Sequence, residues 1–188
     1  MTTMKQFLIL LITIFLFQDA EAQSKSKFTF EPLYGMETRL VRYPEPSRYV
    51  TSATYGARVL YGITLLSGEA EYTVSKSRKD YSGNDQKVED SVERLSLGLR
   101  STLPMGQNVG FYFRAGGRAS QGDTKITTAG VSETKDNPLR IDPYAGTGLQ
   151  IAFGSALALN AGVTMIRNFE GKYDAQYTLG LSARFGNL

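Results

Sequence analysis

Residues 174–185 read Asp-Ala-Gln-Tyr-Thr-Leu-Gly-Leu-Ser-Ala-Arg-Phe, and their alternation decides the fold. Ala175, Tyr177, Leu179, Leu181, Ala183 and Phe185 fall on odd positions; Asp174, Gln176, Thr178, Gly180, Ser182 and Arg184 fall on even ones. A strict period of two places these sets on opposite faces of one β-strand, in two different surroundings.

The same pattern recurs along the chain. Phe28–Arg42 sets Phe28, Phe30, Tyr34, Met36 and Leu40 against Glu31, Glu37 and Arg39. Ser52–Leu65 opposes Tyr55, Val59, Tyr61 and Ile63 to Thr54, Gly56, Arg58 and Gly62. Glu69–Lys76 and Arg94–Leu103 continue the alternation, followed by Val109–Ser120, Leu139–Phe153 and Ala156–Arg167. With 174–185 they make eight segments, each near the length a tilted strand needs to cross hydrocarbon. The connections alternate in length. Tight turns are expected at Ser67-Gly68, 104–108 and 154–155, and longer polar loops at 43–51, 77–90, 121–138 and 168–173. Short turns at one end and long loops at the other are the habit of an up-and-down membrane barrel. Eight strands close the sheet and leave no edge, the only kind of sheet a bilayer tolerates.

Charge settles which face is inside. The apolar face has essentially no charge at mid-strand, whereas the other carries Arg39, Arg58, Arg94, Arg100, Arg114, Arg118, Arg140 and Arg184 with Glu31, Glu37, Glu69, Glu71, Asp142 and Asp174. The charged side is therefore the lumen and the apolar side meets lipid. A soluble ligand-binding barrel would be built the other way out. Lysine is expected nowhere on the inner face, because guanidinium satisfies several buried carboxylates at once and a compact ammonium does not. Arg58, Arg100, Arg114 and Arg118 should pair with Glu31, Glu37, Glu69, Glu71 or Asp142, in combinations the sequence leaves open.

The amino end reads as an export signal. Lys5 precedes an apolar run, 7–17, in which only Thr13 is not strongly apolar, and Ala20-Glu21-Ala22 offers a small-x-small cleavage site. The expected division is a signal peptide over 1–22 and a single barrel domain over 23–188. Cleavage raises the formal charge from +3 to +4 by removing Lys5, Asp19 and Glu21. With no cysteine after the apolar run, an acyl anchor and disulfides are both excluded. The mildly basic balance, with no dense basic stripe, argues against nucleic acid. The chain has no histidine, the usual acid–base residue of barrel enzymes, so no catalysis is expected.

The sequence resembles the small eight-stranded outer-membrane barrels of Gram-negative bacteria, the OmpA/OmpX-like group, along its whole length after residue 22. The most specific feature is Thr178-x-Gly180-x-x-Ala183-x-Phe185, similar to the terminal-strand signal read by the barrel assembly machinery; Tyr177, Gly180 and Phe185 would carry it. The pattern departs from the group in continuing through Gly186-Asn187-Leu188 after the phenylalanine. The resemblance implies a monomer in outer-membrane lipid and lipopolysaccharide, without cofactor or metal. Its expected role is non-enzymatic, structural or loop-displaying; the alternatives are a narrow gated channel and a lipid A-modifying enzyme. Arg42, Lys76 and Arg167 lie on the lipid-facing register at the outer rim, as expected lipopolysaccharide contacts.

Overall fold

The computed structural model describes residues 27–41, 46–81 and 86–185. The expected signal sequence, Arg42 and the tail after Phe185 lie outside the described residues. Eight strands follow one another: β1 (Lys27–Val41), β2 (Arg48–Ile63), β3 (Leu66–Tyr81), β4 (Gln86–Pro104), β5 (Val109–Thr128), β6 (Val131–Phe153), β7 (Leu157–Arg167) and β8 (Tyr173–Phe185). Each pairs antiparallel with the next, and β1 pairs with β8 to close the ring.

The period of two becomes the two faces of the wall. Tyr34, Met36, Tyr55, Leu99, Phe113, Leu149, Leu179 and Leu181 are exposed on the outside. Glu31, Glu37, Arg58, Glu69, Glu71, Arg100, Arg114 and Arg118 are buried inside. A water-soluble protein would hide the first set. Here hydrocarbon covers it, and the polar interior is the core.

Two expectations about the connections are corrected. The first periplasmic turn is Thr64-Leu65, and Ser67-Gly68 lies within β3, with Gly68 opposite Tyr61. The segments 77–81, 86–90 and most of 121–138 are strand, not loop. β3 and β4 pair out to Tyr81 and Gln86, and β5 and β6 out to Thr128 and Val131. Above the bilayer the outer face of a strand meets water instead of lipid, so it no longer needs apolar side chains and the alternation that marks the lower part fades while the ladder continues. β6 has 23 residues, about twice what a tilted strand needs to cross the hydrocarbon. The β5–β6 hairpin turns on Ala129 and Gly130, both at positive φ (48° and 85°), the geometry of a two-residue primed turn.

Prolines and a bulge mark the change from wall to extension. The β5–β6 register slips between Ser120 and Gly122. β6 keeps β7 as a neighbour only up to Tyr144, one residue past Pro143, in keeping with proline's restriction to free strand edges. The 168–172 loop is stitched by Asn168, whose Oδ1 accepts from the backbone N–H groups of Glu170 (3.1 Å) and Lys172 (3.0 Å).

Candidate functional site: the charged lumen

Register alone brings the central charges together. Glu31 lies opposite Arg58, Arg58 opposite Glu71, Glu71 opposite Ser96, Ser96 opposite Arg118, and Arg118 opposite Asp142. Five successive cross-strand pairs thus run from β1 to β6, with only Ser96 uncharged. Their side chains point inwards because every strand keeps its parity.

Glu71 is the hub. Its Oε2 accepts from Arg58 Nη2 (2.7 Å) and Nε (3.0 Å) and from Arg114 Nη1 (2.7 Å); its Oε1 accepts from Arg118 Nη2 (3.4 Å). Glu69 lies 2.6 Å from Arg114 Nη2 and 3.5 Å from Arg58 Nε, and accepts from the Tyr144 hydroxyl at 3.3 Å. Glu31 accepts from Arg58 Nη1 (2.9 Å), Arg100 Nη1 (3.4 Å) and Asn160 Nδ2 (3.1 Å). Arg100 and Arg114 sit directly opposite each other, an unfavourable like-charge pair in isolation. They diverge: Arg100 turns to Glu31 over the Tyr112 ring at 3.8 Å, and Arg114 turns to Glu69 and Glu71.

Above the hub a second layer holds Arg94 on Glu37 (2.6 Å), with Arg118 Nη1 3.7 Å from the same carboxylate. Arg39 pairs with Asp90, which also accepts from Thr124 Oγ1 at 2.7 Å. Arg140 pairs with Asp142 at 2.5 Å, close to the Phe169 ring. Asp174 accepts from the Leu40 N–H (3.0 Å) and Asn168 Nδ2 (2.9 Å). At the opposite end Arg184 donates to Gln150 Oε1 at 2.6 Å.

Several of these partners are absent from the sequence reading. Asp90 falls in a segment read as loop, though it lies an even number of residues from Arg94 and so shares its face. Asn160, Gln150 and Tyr144 carry no formal charge, yet Asn160 is fully buried and links Glu31, Arg100 and Ser182. Asn160 alternates with Leu159 and Ala161, the signal that could have found it. The expectation of no inward lysine fails at the barrel's ends: Lys27 opens β1 on the inner register and lines the periplasmic mouth. Ammonium is tolerated there because water reaches it.

Two small cavities flank the network. The outer one, about 90 Å³, is lined by Arg39, Arg94, Arg118 and Arg140 together with Glu37, Asp142 and Asp174. The inner one, about 50 Å³, lies at the periplasmic mouth. The layer between contains Arg58, Glu71, Thr73 and Ser96, each 1% exposed or less. On the extracellular hairpin a hydrogen bond from Lys87 (2.7 Å) holds the Glu89 carboxyl below its usual range. That pair is solvent-exposed and adds little stability.

The model of the outer membrane protein β-barrel domain matches residues 8–185. The chain belongs to this family. It is an integral protein of the Gram-negative outer membrane. No curated protein gives a significant match to the sequence. Solved barrels share the fold at low identity. The attachment invasion locus protein Ail of Yersinia pestis, crystallised with the heparin analogue sucrose octasulfate, is 12% identical, with a TM-score of 0.58 over 86% of this chain and 99% of its own. Neisserial surface protein A is 15% identical with a TM-score of 0.55, covering 85% and 97%. A major outer membrane protein of Thermus thermophilus is 13% identical with a TM-score of 0.53, covering 85% and 99%.

The remaining residues singled out in the sequence lie on the barrel's outer face or at its closing seam. Lys76 and Arg167 are exposed on the outward register, but on β3 and β7, halfway round the ring from each other. They do not form one site. Phe185 is exposed beside Phe28, with ring centroids 6.1 Å apart, and Tyr177 is exposed on the same strand. Gly180 faces inwards against Glu31, where a Cβ would collide with the carboxylate. Among the described residues no group of side chains could hold a metal ion.

Proposed function

We propose that this outer-membrane barrel is a closed, non-enzymatic scaffold, which stabilises the membrane and holds its β3–β4 and β5–β6 hairpins above the surface for contact. The single observation behind the reading is the dry middle of the lumen, where the Arg58–Glu71–Arg114 cluster fills the bore. Eight strands enclose little more than their own side chains, so an ionic network of this density acts as a plug. The plug also organises the wall, because each arginine joins strands distant in sequence. Without histidine the chain lacks the usual acid–base group of a lipid-modifying barrel.

Protein refolded into a planar bilayer tests this. The expected result is no stepwise conductance under applied voltage. Steady steps that disappear when the lumen charges are altered would instead favour a narrow channel.

Two subsidiary assignments belong to the same reading. The residues 1–22 are the export signal, and Tyr177, Gly180 and Phe185 form the mark read by the assembly machinery. At the outer rim Lys76 and Arg167, and Arg42 with them, meet phosphates of lipopolysaccharide as separate contacts. Charge at the interface carries almost no insertion penalty, unlike the ~2–4 kcal/mol at the midplane. Replacing all three with glutamine should reduce lipopolysaccharide co-purification; unchanged recovery would remove this assignment.

A further inference from the structure

Of the eight arginines the sequence assigns to the inner face, seven have a carboxylate oxygen within 4.0 Å: Arg39, Arg58, Arg94, Arg100, Arg114, Arg118 and Arg140. Arg184 is the exception among these eight; its guanidinium's one hydrogen bond within the described residues is to a neutral amide, Gln150. The Lys27 ammonium, at the same end of the barrel and lining the same cavity, makes no hydrogen bond or ion pair with the side chain of any described residue. Arg100, just above, reaches Glu31 only at 3.4 Å, and Glu31 is already engaged by Arg58 at 2.9 Å. All three cations line the periplasmic cavity, along with Thr29, Thr102 and Gln150, and among the described residues no carboxylate lines it. This is the opposite of the outer cavity, where acids and bases alternate.

Two cations without a carboxylate partner, beside a third whose ion pair is long, are costly to hold in a recess, and the cost falls when an anion enters. We propose that the periplasmic mouth is an oxyanion site in which Lys27, Arg100 and Arg184 bind one phosphate group. Size and chemistry select this class. The cavity of about 50 Å³ has room for roughly three or four water positions, and so for one tetrahedral anion but not a larger molecule. A guanidinium offers paired, planar donors that match two oxygens of a phosphate, the ammonium adds a point charge, and the threonine hydroxyls can donate to the remaining oxygens. Chloride, a single sphere, offers no separate oxygens to match the planar donor pairs of the guanidinium groups.

The phosphate has two available sources at this depth. The mouth lies level with the aromatic rings of Phe28 and Phe185, which mark the membrane–water interface. It therefore opens beside the headgroups of the inner leaflet and to dissolved periplasmic phosphate alike.

The test uses full-length mature protein refolded in dodecyl maltoside, which contains no phosphate. Sodium phosphate is titrated at constant ionic strength against sodium chloride, with calorimetry and the Arg184 Nε–H resonance as readouts. Saturable binding of phosphate but not chloride is expected. Loss of one or two charge-assisted hydrogen bonds should weaken it at least about tenfold in Lys27→Gln and further in Lys27→Gln/Arg184→Gln. Lys27 has no partner to lose, so its variant refolds and decides the matter even if the double variant does not; heat-modifiable migration on a gel reports folding of both. Non-saturating shifts, an equal response to chloride, or equal affinity in Lys27→Gln would overturn the site. Repeating the titration in phosphatidylglycerol nanodiscs separates the sources. If the lipid headgroup is the ligand, added phosphate no longer shifts Arg184; if dissolved phosphate is, the titration is unchanged.

Discussion

Replacing Arg114 by methionine tests how far the lumen network holds the barrel. Arg114 is 3% exposed and lies 2.6 Å from Glu69 and 2.7 Å from Glu71. Methionine keeps much of the volume but removes the charge. Glu71 then retains Arg58 and a longer contact with Arg118, whereas Glu69 is left with Arg58 Nε at 3.5 Å and the Tyr144 hydroxyl. The buried Glu69 carboxylate is thus nearly uncompensated, which costs ~3–5 kcal/mol in a dry interior. At an unfolding slope of ~2 kcal/mol per molar urea, the midpoint falls by about 2 M. The assay is equilibrium urea unfolding of protein refolded into micelles or vesicles, followed by tyrosine fluorescence and gel migration. Adding Glu69→Gln to Arg114→Met removes the stranded charge and should recover much of the loss. An unchanged midpoint in Arg114→Met, or strict additivity in the double variant, would refute the reasoning, since it would mean water already solvates these groups.

Two further substitutions probe the wall and its assembly. Gly162→Ala would set a methyl group against the Tyr112 hydroxyl, which is buried beneath Arg100. It should destabilise the barrel by ~1–3 kcal/mol, and Tyr112→Phe should restore part of this by removing the oxygen; a background-independent cost in urea unfolding would contradict the clash. Phe185→Ala removes an interfacial ring that, among the described residues, has Phe28 as its aromatic partner, so membrane yield in cells should drop more than the stability of folded protein; equal yields would leave Phe185 an ordinary interfacial aromatic.

How much of this was legible in the sequence depended on the solvent outside each strand. Where lipid covers one face and the lumen the other, parity is enforced, and the inward placement of Glu31, Arg58, Glu71, Arg114 and Arg118 could be read directly. Which of them pair could not, because that depends on the stagger between strands. Arg114 and Glu71, for example, lie on β5 and β3 with β4 between them. Above the membrane the code is silent: the outer faces of 86–90 and 121–138 meet water instead of lipid, so paired strands there look like polar loops, and Asp90, buried on the inner face, was hidden with them. The turn at Thr64-Leu65 was missed for a related reason. Its residues continue the alternation of β2, while Ser67-Gly68 has turn composition but sits on the wall, where small residues are equally acceptable. The neutral lumen residues Asn160 and Gln150 were passed over because attention to charge overlooks amides, although Asn160 bonds both Glu31 and Arg100.

The dry middle of the lumen is the central claim, and thiol accessibility tests it most directly. The chain has no cysteine, so a single one can be introduced without background. Thr73 is 0% exposed, faces the lumen at the level of the hub, and its hydroxyl has no hydrogen-bond partner, so Thr73→Cys disturbs little. In folded protein this thiol should resist a water-soluble methanethiosulfonate reagent from either side of a proteoliposome and react fully once the barrel is unfolded, with Lys76→Cys as the reactive control. Rapid labelling of folded Thr73→Cys would show a water path through the barrel and contradict the plug.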